Sequence, residues 1–343
     1  MRQTLQSAIK PLLLVSVFLV FGFGAASAQQ KRPPKLDIPI KCTLGQDCFI
    51  QHFVDMQGGS KAADHRCGFL TYNNHRGTDI RIRTLKDMEA GVPVIAAADG
   101  VVGNFRDDIK DHYFSNYPPE KRKEIYKIGL GNAVVLNHGN KWSTFYAHLK
   151  EGSVTVKKGQ RVRKGDILGF VGLSGVTDFP HLHFDVRHRN RTVDPFTGLE
   201  HDKGCGKATF SMWSEMAQRE LKYTPTYFVN TGFSETKPKG RQDLESGEKK
   251  EKVLNPAAPT MFFWSYYIGS QKEDQVSLRI TGPDGRKLKA YNPPRMTKNQ
   301  ISNTFWVGVK RPPAGWRSGT YRGEITVTRE GQVFKNESLI VVQ

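Results

Sequence analysis

Short apolar stretches separated by glycine-containing turns dominate the middle of the chain. Residues 133–138 and 142–149 are two such stretches, and Gly139-Asn140 lies between them. Short apolar runs bounded by turn residues are typical of strands, and a Gly-Asn pair between two runs indicates a tight hairpin. The pattern predicts an all-β domain over residues 67–205 with almost no helix.

One polar stretch interrupts this pattern. Residues 104–130 lie between two predicted strands and contain Pro118-Pro119 followed by EKRKEIYKI. Prolines in a first turn and acidic residues ahead of basic ones favour a short helix. Loops this long inside a compact domain are usually functional or disordered. We interpret the stretch as an insertion near the functional cleft; the alternative is a surface loop without a role.

The regions on either side of 67–205 have different patterns. Residues 29–66 begin with prolines and continue as short mixed segments, which predicts an irregular N-terminal segment. In residues 206–343 a charged stretch at 236–252 predicts a flexible loop. The apolar runs of this region are separated by turn signals and predict a C-terminal β-sandwich of the immunoglobulin-like kind. These runs are 221–230, 261–268, 275–281, 305–310, 320–328 and 333–342.

Residues 1–28 have the layout of a secretory signal peptide. Arg2 and Lys10 are the only charged residues there, an apolar run covers 12–21, and small side chains occupy 26–28 at the cleavage position. The apolar run is too short for a stable membrane span. We therefore predict an exported protein, periplasmic or extracellular, with no membrane span after cleavage; an uncleaved anchor is the alternative.

The net charge of the chain limits the classes of molecule that it is expected to bind. The formal net charge is +18, and removal of the two basic residues of the leader leaves +16. A strongly basic protein commonly binds nucleic acid, but an exported chain rarely meets it. An anionic polymer of the cell envelope or a membrane surface is the better partner. The basic residues are spread along the chain, which indicates general surface affinity and no single binding site.

The chain contains four cysteines, Cys42, Cys48, Cys67 and Cys205. They form no CxxC pair, which argues against a thiolate zinc site or a redox motif. An even number in an exported protein indicates disulfides, and four cysteines allow three connectivities. We favour Cys42–Cys48, which closes a small local loop, and Cys67–Cys205, which brackets the segment with the candidate chemistry. Free buried thiols are the alternative.

Three short strings in the all-β domain carry this chemistry: HRGTD at 75–79, YAHLK at 146–150 and FPHLHFDVR at 179–187. In the last string, strand alternation places His181 and His183 on one face. It directs Leu182, Phe184 and Val186 towards the core. Two histidines on one face, about 7 Å apart by strand rise, reach a common metal-centred site.

HRGTD holds a histidine and a carboxylate four residues apart, and the glycine between them lets the backbone bend so that both converge. Catalytic zinc takes three protein ligands and leaves one position for water, whose pKa it lowers to about 7. His75, Asp79 and one histidine of HLH would supply the ligands. His148 and the other histidine of HLH would handle protons. Spacing alone does not decide between His181 and His183.

Together with their flanking segments, the three strings resemble the signature of lysostaphin/LytM-type zinc endopeptidases of the cell wall. The likeness spans about residues 69–200 and includes the run VKKGQRVRKGDILGFVG, which is similar to the family's lipoyl-like hybrid β motif. It implies a lysostaphin-type β-sheet domain with a duplicated hybrid motif and one zinc ion per chain. By the resemblance, the zinc ligands are His75, Asp79 and His183, and the catalytic pair is His148 and His181.

The function implied by the resemblance is that of a zinc metalloendopeptidase that cuts the peptide cross-links of peptidoglycan. The alternative is a regulatory scaffold that activates a separate wall amidase, although family members of that type usually lack several of the site residues. For the C-terminal domain we expect one of three roles: binding an envelope protein partner, binding wall glycan, or packing on the first domain. The other histidines are predicted to be surface or turn residues: His52, His65, His112, His138, His188 and His201.

Overall fold

The computed structural model describes residues 32–343. The predicted signal peptide, residues 1–28, lies outside this range. No helix between residues 32 and 343 combines the length and the apolar character needed to cross a membrane.

The first part of the described chain forms one large antiparallel sheet and a separate two-stranded one. Its strands are β1 (Cys48–His52), β2 (Thr78–Ile82), β3 (Pro93–Ile95), β4 (Gly100–Arg106), β5 (Asn132–Asn137), β6 (Trp142–Leu149), β7 (Arg161–Val162), β8 (Ile167–Phe170), β9 (His181–His188) and β10 (Arg191–Thr192). The large sheet has the order β1-β2-β9-β6-β5-β4-β7, and β10 pairs with β9. Strands β3 and β8 form the small sheet.

The central strands of the large sheet are also the ones that carry the three strings. Leu182, Phe184 and Val186 of β9 are buried in the same core as Ile80 and Tyr146 of the neighbouring strands, as strand alternation predicted. The predicted hairpin is confirmed, since β5 and β6 pair across the turn that contains Gly139-Asn140. The mostly β architecture expected of this region is therefore present.

The N-terminal segment differs from its prediction, because residues 48–52 form β1 at the edge of the large sheet and pair with β2. Leu36 and Ile40 are buried in the core of the same sheet. All five residues of CFIQH are buried, so this strand lacks the alternation of apolar and polar residues by which a strand is predicted. The described part of this segment, residues 32–66, therefore contributes to the sheet that carries the site.

Helices are few in this region. The sequence did not predict α1 (Leu85–Ala90), whose N-terminus is capped by the Thr84 hydroxyl accepting from the Asp87 N–H. The helix predicted inside the 104–130 insertion is confirmed as α2 (Pro119–Lys127), with proline in its first turn. A short 3-10 turn at Phe114–Asn116 precedes it.

The C-terminal part contains two further sheets. Its elements are α3 (Glu215–Glu220), β11 (Tyr227–Ser234), α4 (Arg241–Glu245), β12 (Val253–Leu254), β13 (Thr260–Ser270), β14 (Gln275–Thr281), β15 (Lys287–Tyr291), β16 (Gln300–Lys310), β17 (Gly319–Arg329) and β18 (Gln332–Val342). The sheets have the orders β11-β13-β16 and β12-β18-β17-β14-β15. Residues of both sheets share one core. The immunoglobulin-like assignment of this pair of sheets stays a prediction.

The stretch at 236–252, predicted to be a flexible loop, contains α4. Leu244 of this helix is buried against Trp264 and Tyr266 of β13 and Phe49 of β1, so the helix packs between the C-terminal sheets and the large sheet. The alternate residues Phe263 and Tyr267 belong instead to the core that the C-terminal sheets share. Strand β13 is therefore covered on both faces, which ties the two parts of the chain together.

Both favoured disulfides are present. Cys42–Cys48 closes a loop immediately before β1, with a Cα–Cα distance of 6.1 Å. Cys67–Cys205 joins residues 138 positions apart, with a Cα–Cα distance of 5.0 Å. The described residues contain no free cysteine.

A buried ion pair joins the large sheet to α4. Arg81 of β2 and Glu245 of α4 have fully buried side chains, and Arg81 Nη2 donates to Glu245 Oε1 at 2.9 Å. The other guanidinium nitrogen, Nη1, donates to Gln51 Oε1 at 2.7 Å and to the Tyr266 hydroxyl. Burying a charge costs free energy unless a partner and hydrogen bonds compensate it. Residues from three separate segments of the chain therefore compensate the buried charge of Arg81.

We expect Glu245→Ala to lower the free energy of unfolding by about 3–5 kcal/mol, because it leaves the Arg81 charge buried without a partner. Urea unfolding of the two proteins measures the difference. The matched control is Glu337→Ala, which removes an exposed pair with Arg322 and is expected to cost at most about 1 kcal/mol. Equal effects of the two substitutions would show that the buried pair does not hold the two parts of the chain together.

Candidate metal centre

Strand pairing brings the predicted ligands face to face. In the antiparallel register of β2 with β9, Asp79 lies directly opposite His183, and such cross-strand neighbours have Cβ atoms about 4.5–5.5 Å apart. His75 lies in the turn before β2, where its N–H donates to the Tyr72 carbonyl at 3.0 Å. The turn directs the His75 ring back towards Asp79, and all three side chains are buried.

The three donor atoms are close enough to share one ion. Asp79 Oδ1 lies 3.2 Å from His75 Nε2 and 2.8 Å from His183 Nδ1, and the two ring nitrogens are 3.3 Å apart. Tetrahedral zinc with bonds of about 2.0–2.1 Å places its ligand atoms roughly 3.3 Å from one another. Two imidazole nitrogens and a carboxylate oxygen at these separations therefore fit zinc in size and in chemistry.

His148 and His181 lie beside this group, with ring centroids 4.7 Å apart. His181 Nε2 is 3.4 Å from Asp79 Oδ1. His148 adopts a φ of 59° at the end of β6, a left-handed conformation that is uncommon outside glycine. Such conformations concentrate at functional sites. The structure thus brings together all five residues that were predicted from the sequence as ligands and catalytic pair.

Backbone carbonyls fix which ring nitrogen is free in three of these histidines. The Nδ1 atoms of His75, His148 and His181 lie 2.7, 2.7 and 2.9 Å from the carbonyl oxygens of Phe53, Ser174 and Phe179. A carbonyl only accepts, so each Nδ1 carries a proton and donates it. In the neutral form of each ring, the Nε2 lone pair is then left for the site. This second shell sets tautomer and ring orientation, as partners of metal-binding histidines commonly do.

A fifth imidazole, His52, was missed by the sequence analysis and corrects the prediction that it is a surface or turn residue. It is 7 % exposed, and its Nδ1 donates to Asp79 Oδ2 at 2.8 Å. A register shift in β1 between Ile50 and His52 places His52 opposite Asp79. Spacing gave no signal for it, because it lies 23 residues before His75 and reaches the site only through strand pairing.

Gly77 has a role different from the one expected. Its backbone is not in the left-handed region, so conformational freedom is not what the position requires. A Cβ atom there would lie 2.6 Å from Cε1 and Nε2 of His183. The glycine therefore provides the space that the His183 ring occupies beside Asp79.

Burial and neighbouring charges have opposite effects on the pKa values of Asp79 and His75, and both lower the pKa of His148. Burial would raise the pKa of Asp79, but His75 and His181 outweigh it and hold the pKa well below the ordinary range. Burial would lower the pKa of His75, but the Asp79 carboxylate raises it above its usual value. Burial, with His181 and His183 nearby, holds the pKa of His148 well below its usual value, so His148 is neutral at pH 7.

The site opens into a cavity of about 290 Å³. Asp79, His148 and His181 line it, together with Phe114 of the insertion and Arg241 of α4. The prediction that the insertion lies near the cleft is therefore confirmed. The C-terminal region, through Arg241, contributes part of the cavity wall.

Part of the chain is similar in sequence to known proteins. Residues 73–195 match the model of peptidase family M23. A Haemophilus influenzae protein named as an uncharacterized metalloprotease is 33% identical over 124 residues, 36% of this chain and 20% of that protein. Vibrio cholerae peptidoglycan DD-endopeptidase ShyA is 33% identical over 147 residues, 43% of this chain and 26% of that protein. The chain thus spans about a fifth to a quarter of the length of these relatives.

Among solved structures, a zinc-containing peptidase from Vibrio cholerae is 28% identical with a TM-score of 0.27, covering 43% of this chain and 39% of that one. Since this score lies below 0.5, the assignment rests on the sequence matches. They confirm the resemblance to lysostaphin/LytM-type peptidases. Through residues 73–195, the chain is similar to peptidase family M23.

Proposed function

We propose that this chain is an exported, zinc-dependent endopeptidase that hydrolyses the peptide cross-links of peptidoglycan. The observation that carries the proposal is the convergence of His75, Asp79 and His183 donor atoms within 4.8 Å of one another, beside His148 and His181 in one cavity. The relatives named as metalloprotease and peptidoglycan DD-endopeptidase support the reaction class. The complete set of five residues favours an enzyme over a regulatory scaffold.

His75, Asp79 and His183 would hold one zinc ion, His75 through Nε2, Asp79 through Oδ1 and His183 through Nδ1. In such a site zinc polarises a carbonyl and lowers the pKa of water to about 7. Ligand histidines must be neutral, so a metal ion and a proton compete for the same lone pair. The carbonyl of Phe53 keeps the proton of His75 on Nδ1 and leaves Nε2 available to the ion.

His148 and His181 would move the protons of the reaction. Each keeps Nδ1 bonded to a backbone carbonyl, so each presents Nε2 to the cavity. A neutral Nε2 accepts a proton from the water molecule that attacks the amide. The resulting imidazolium donates that proton to the leaving amine. The same cation stabilises negative charge on the carbonyl oxygen in the transition state. Burial and the neighbouring histidines lower the pKa of His148, so its ring is in the neutral form that can accept a proton.

The substrate and location follow from features outside the five residues. The leader-like residues 1–28 and the net charge of +16 without them suit an envelope protein that works on an anionic polymer. The immunoglobulin-like assignment of the C-terminal sheets belongs to the same proposal, as does a second role for them in binding an envelope protein. A pull-down tests the binding of an envelope protein by comparing the full mature chain with variants substituted on the surface of the C-terminal sheets.

Incubation of the zinc-loaded mature protein with purified sacculi is expected to release new amine ends from cross-linked peptides. Addition of a chelator is expected to abolish the release, and added zinc to restore it. Amine labelling followed by separation of the muropeptides measures the reaction. A zinc-loaded, folded protein that releases no amine ends would contradict the proposal.

The two proton-carrying histidines are expected to be separable from the ligands. His148→Ala and His181→Ala should each lower kcat by about 100-fold or more while zinc content stays at one per chain. His75→Ala should lose the zinc itself. Metal analysis and turnover of cross-linked peptides distinguish the two classes, with His201→Ala as the control. Normal turnover in a fully loaded His148 or His181 variant would remove that residue from its role.

His52 is expected to act through Asp79. Because its N–H occupies Oδ2, it leaves Oδ1 directed at the metal, and loss of such a partner typically costs 10–100-fold in metal affinity. His52→Ala should therefore weaken zinc binding about 10- to 100-fold, while His52→Asn, which keeps a donor, should weaken it less. Competition with a chromophoric chelator measures the affinity. Equal zinc affinity of the wild type and His52→Ala would contradict this role.

A further inference from the structure

Arg241 is the one basic side chain from the C-terminal region that lines the cavity of the site within residues 32–343. It is the first residue of α4 and lies outside the part of the chain that matches the M23 family. The cavity also holds His148 and His181. Its volume, about 290 Å³, is at the lower end of the roughly 300–1,000 Å³ typical of small-molecule pockets. It is therefore of a size suited to the groups next to a scissile bond.

The charges around α4 leave one cation uncompensated. Two guanidinium groups, those of Arg81 and Arg241, share the single carboxylate of Glu245. Arg81 is fully buried and takes the short contact of 2.9 Å. Arg241 Nε is 4.0 Å from Glu245 Oε1, too far for a hydrogen bond, and its side chain is 30 % exposed. The surplus positive charge therefore lies on Arg241.

The guanidinium of Arg241 is also free to bind a ligand. Among residues 32–343 its only polar contact is the long ion pair with Glu245. The helix that carries it is fixed on both sides. Gln242 exchanges hydrogen bonds with Asn116 of the insertion at 3.3 Å, and Leu244 is buried against β13. The Arg241 guanidinium, with its hydrogen-bond donors free, thus lies on a fixed helix and lines the same cavity as His148 and His181.

We propose that Arg241 binds a carboxylate of the substrate on the leaving-group side of the scissile amide. This inference rests on the proposed function and names its substrate class. Consider an amide between two D-amino-acid centres in which the residue that supplies the nitrogen has no further residue attached to its carboxyl group. Its free carboxylate and the scissile nitrogen are then bonded to the same carbon atom. Hydrolysis adds water across that amide and releases the carboxylate-bearing residue with a free amine. In so small a cavity, this carboxylate lies within it as well.

Arginine suits this task better than lysine, because its planar fork donates two parallel hydrogen bonds to a carboxylate. Asp178 also lines the cavity, but its Oδ1 accepts from the Ser115 N–H at 2.7 Å. A carboxylate in the cavity is therefore attracted by Arg241 and repelled by Asp178. The arrangement favours a position of the substrate anion at the α4 side of the cavity.

The test compares two synthetic cross-linked peptides that differ only in this group, a free carboxylate or its carboxamide. The zinc-loaded mature protein should hydrolyse the carboxylate peptide with a kcat/KM about 10- to 100-fold higher, the range of one charge-assisted hydrogen-bonded pair. Arg241→Gln should lose that preference by slowing only the carboxylate peptide. Arg241→Lys should keep part of it. Arg286→Ala removes an exposed arginine, 81 % exposed, and is the matched control.

Zinc content and thermal unfolding of each variant accompany the kinetics, so that a misfolded protein is recognised. Equal slowing of both peptides in Arg241→Gln, or a wild type that does not distinguish them, would overturn the role of Arg241 and leave the proposed endopeptidase function intact. A folded, zinc-loaded wild type that cleaves neither peptide nor sacculi would overturn the proposed function and this inference with it.

Discussion

The carboxylate of Asp79 is the interaction around which the rest of the site is arranged. Its two oxygens have separate tasks: Oδ2 accepts from His52, and Oδ1 faces His75, His181 and His183. An ionised carboxylate buried this deeply is costly unless donors or cations surround it. The pairing of β1, β2 and β9 supplies those partners. The strand pairing that forms the sheet therefore also supplies the groups that stabilise the buried charge of the site.

The parts of the site that were predicted from the sequence are those encoded locally. HRGTD and HLH each hold two relevant residues within five positions, and strand or turn geometry relates such neighbours directly. His52 and Arg241 contribute through long-range contacts, His52 by a register shift in β1 and Arg241 by the packing of α4. Neither contact leaves a periodic trace in the sequence. The assignment of roles to the five predicted residues stays a prediction that the geometry accommodates.

The same distinction explains the fold. The hairpin of β5 and β6 and the helix of the insertion have turn and capping signals, and both were predicted correctly. Strand β1 and helix α4 were not, because each is short and is stabilised by burial between two sheets. Phe49 and Leu244 meet in that space. Burial of this kind depends on surfaces that are far apart in the sequence. A local sequence pattern therefore cannot predict it.

The Cys67–Cys205 bond encloses all five predicted site residues within a covalent ring. Exposed polar loops are where proteases cut folded chains, and the insertion at 104–130 is such a segment. A single cut there would place His75 and Asp79 on one fragment and the other three histidines on another. The disulfide would keep both fragments in one molecule, so the assembled centre would survive a nick that a chain without the bond would not.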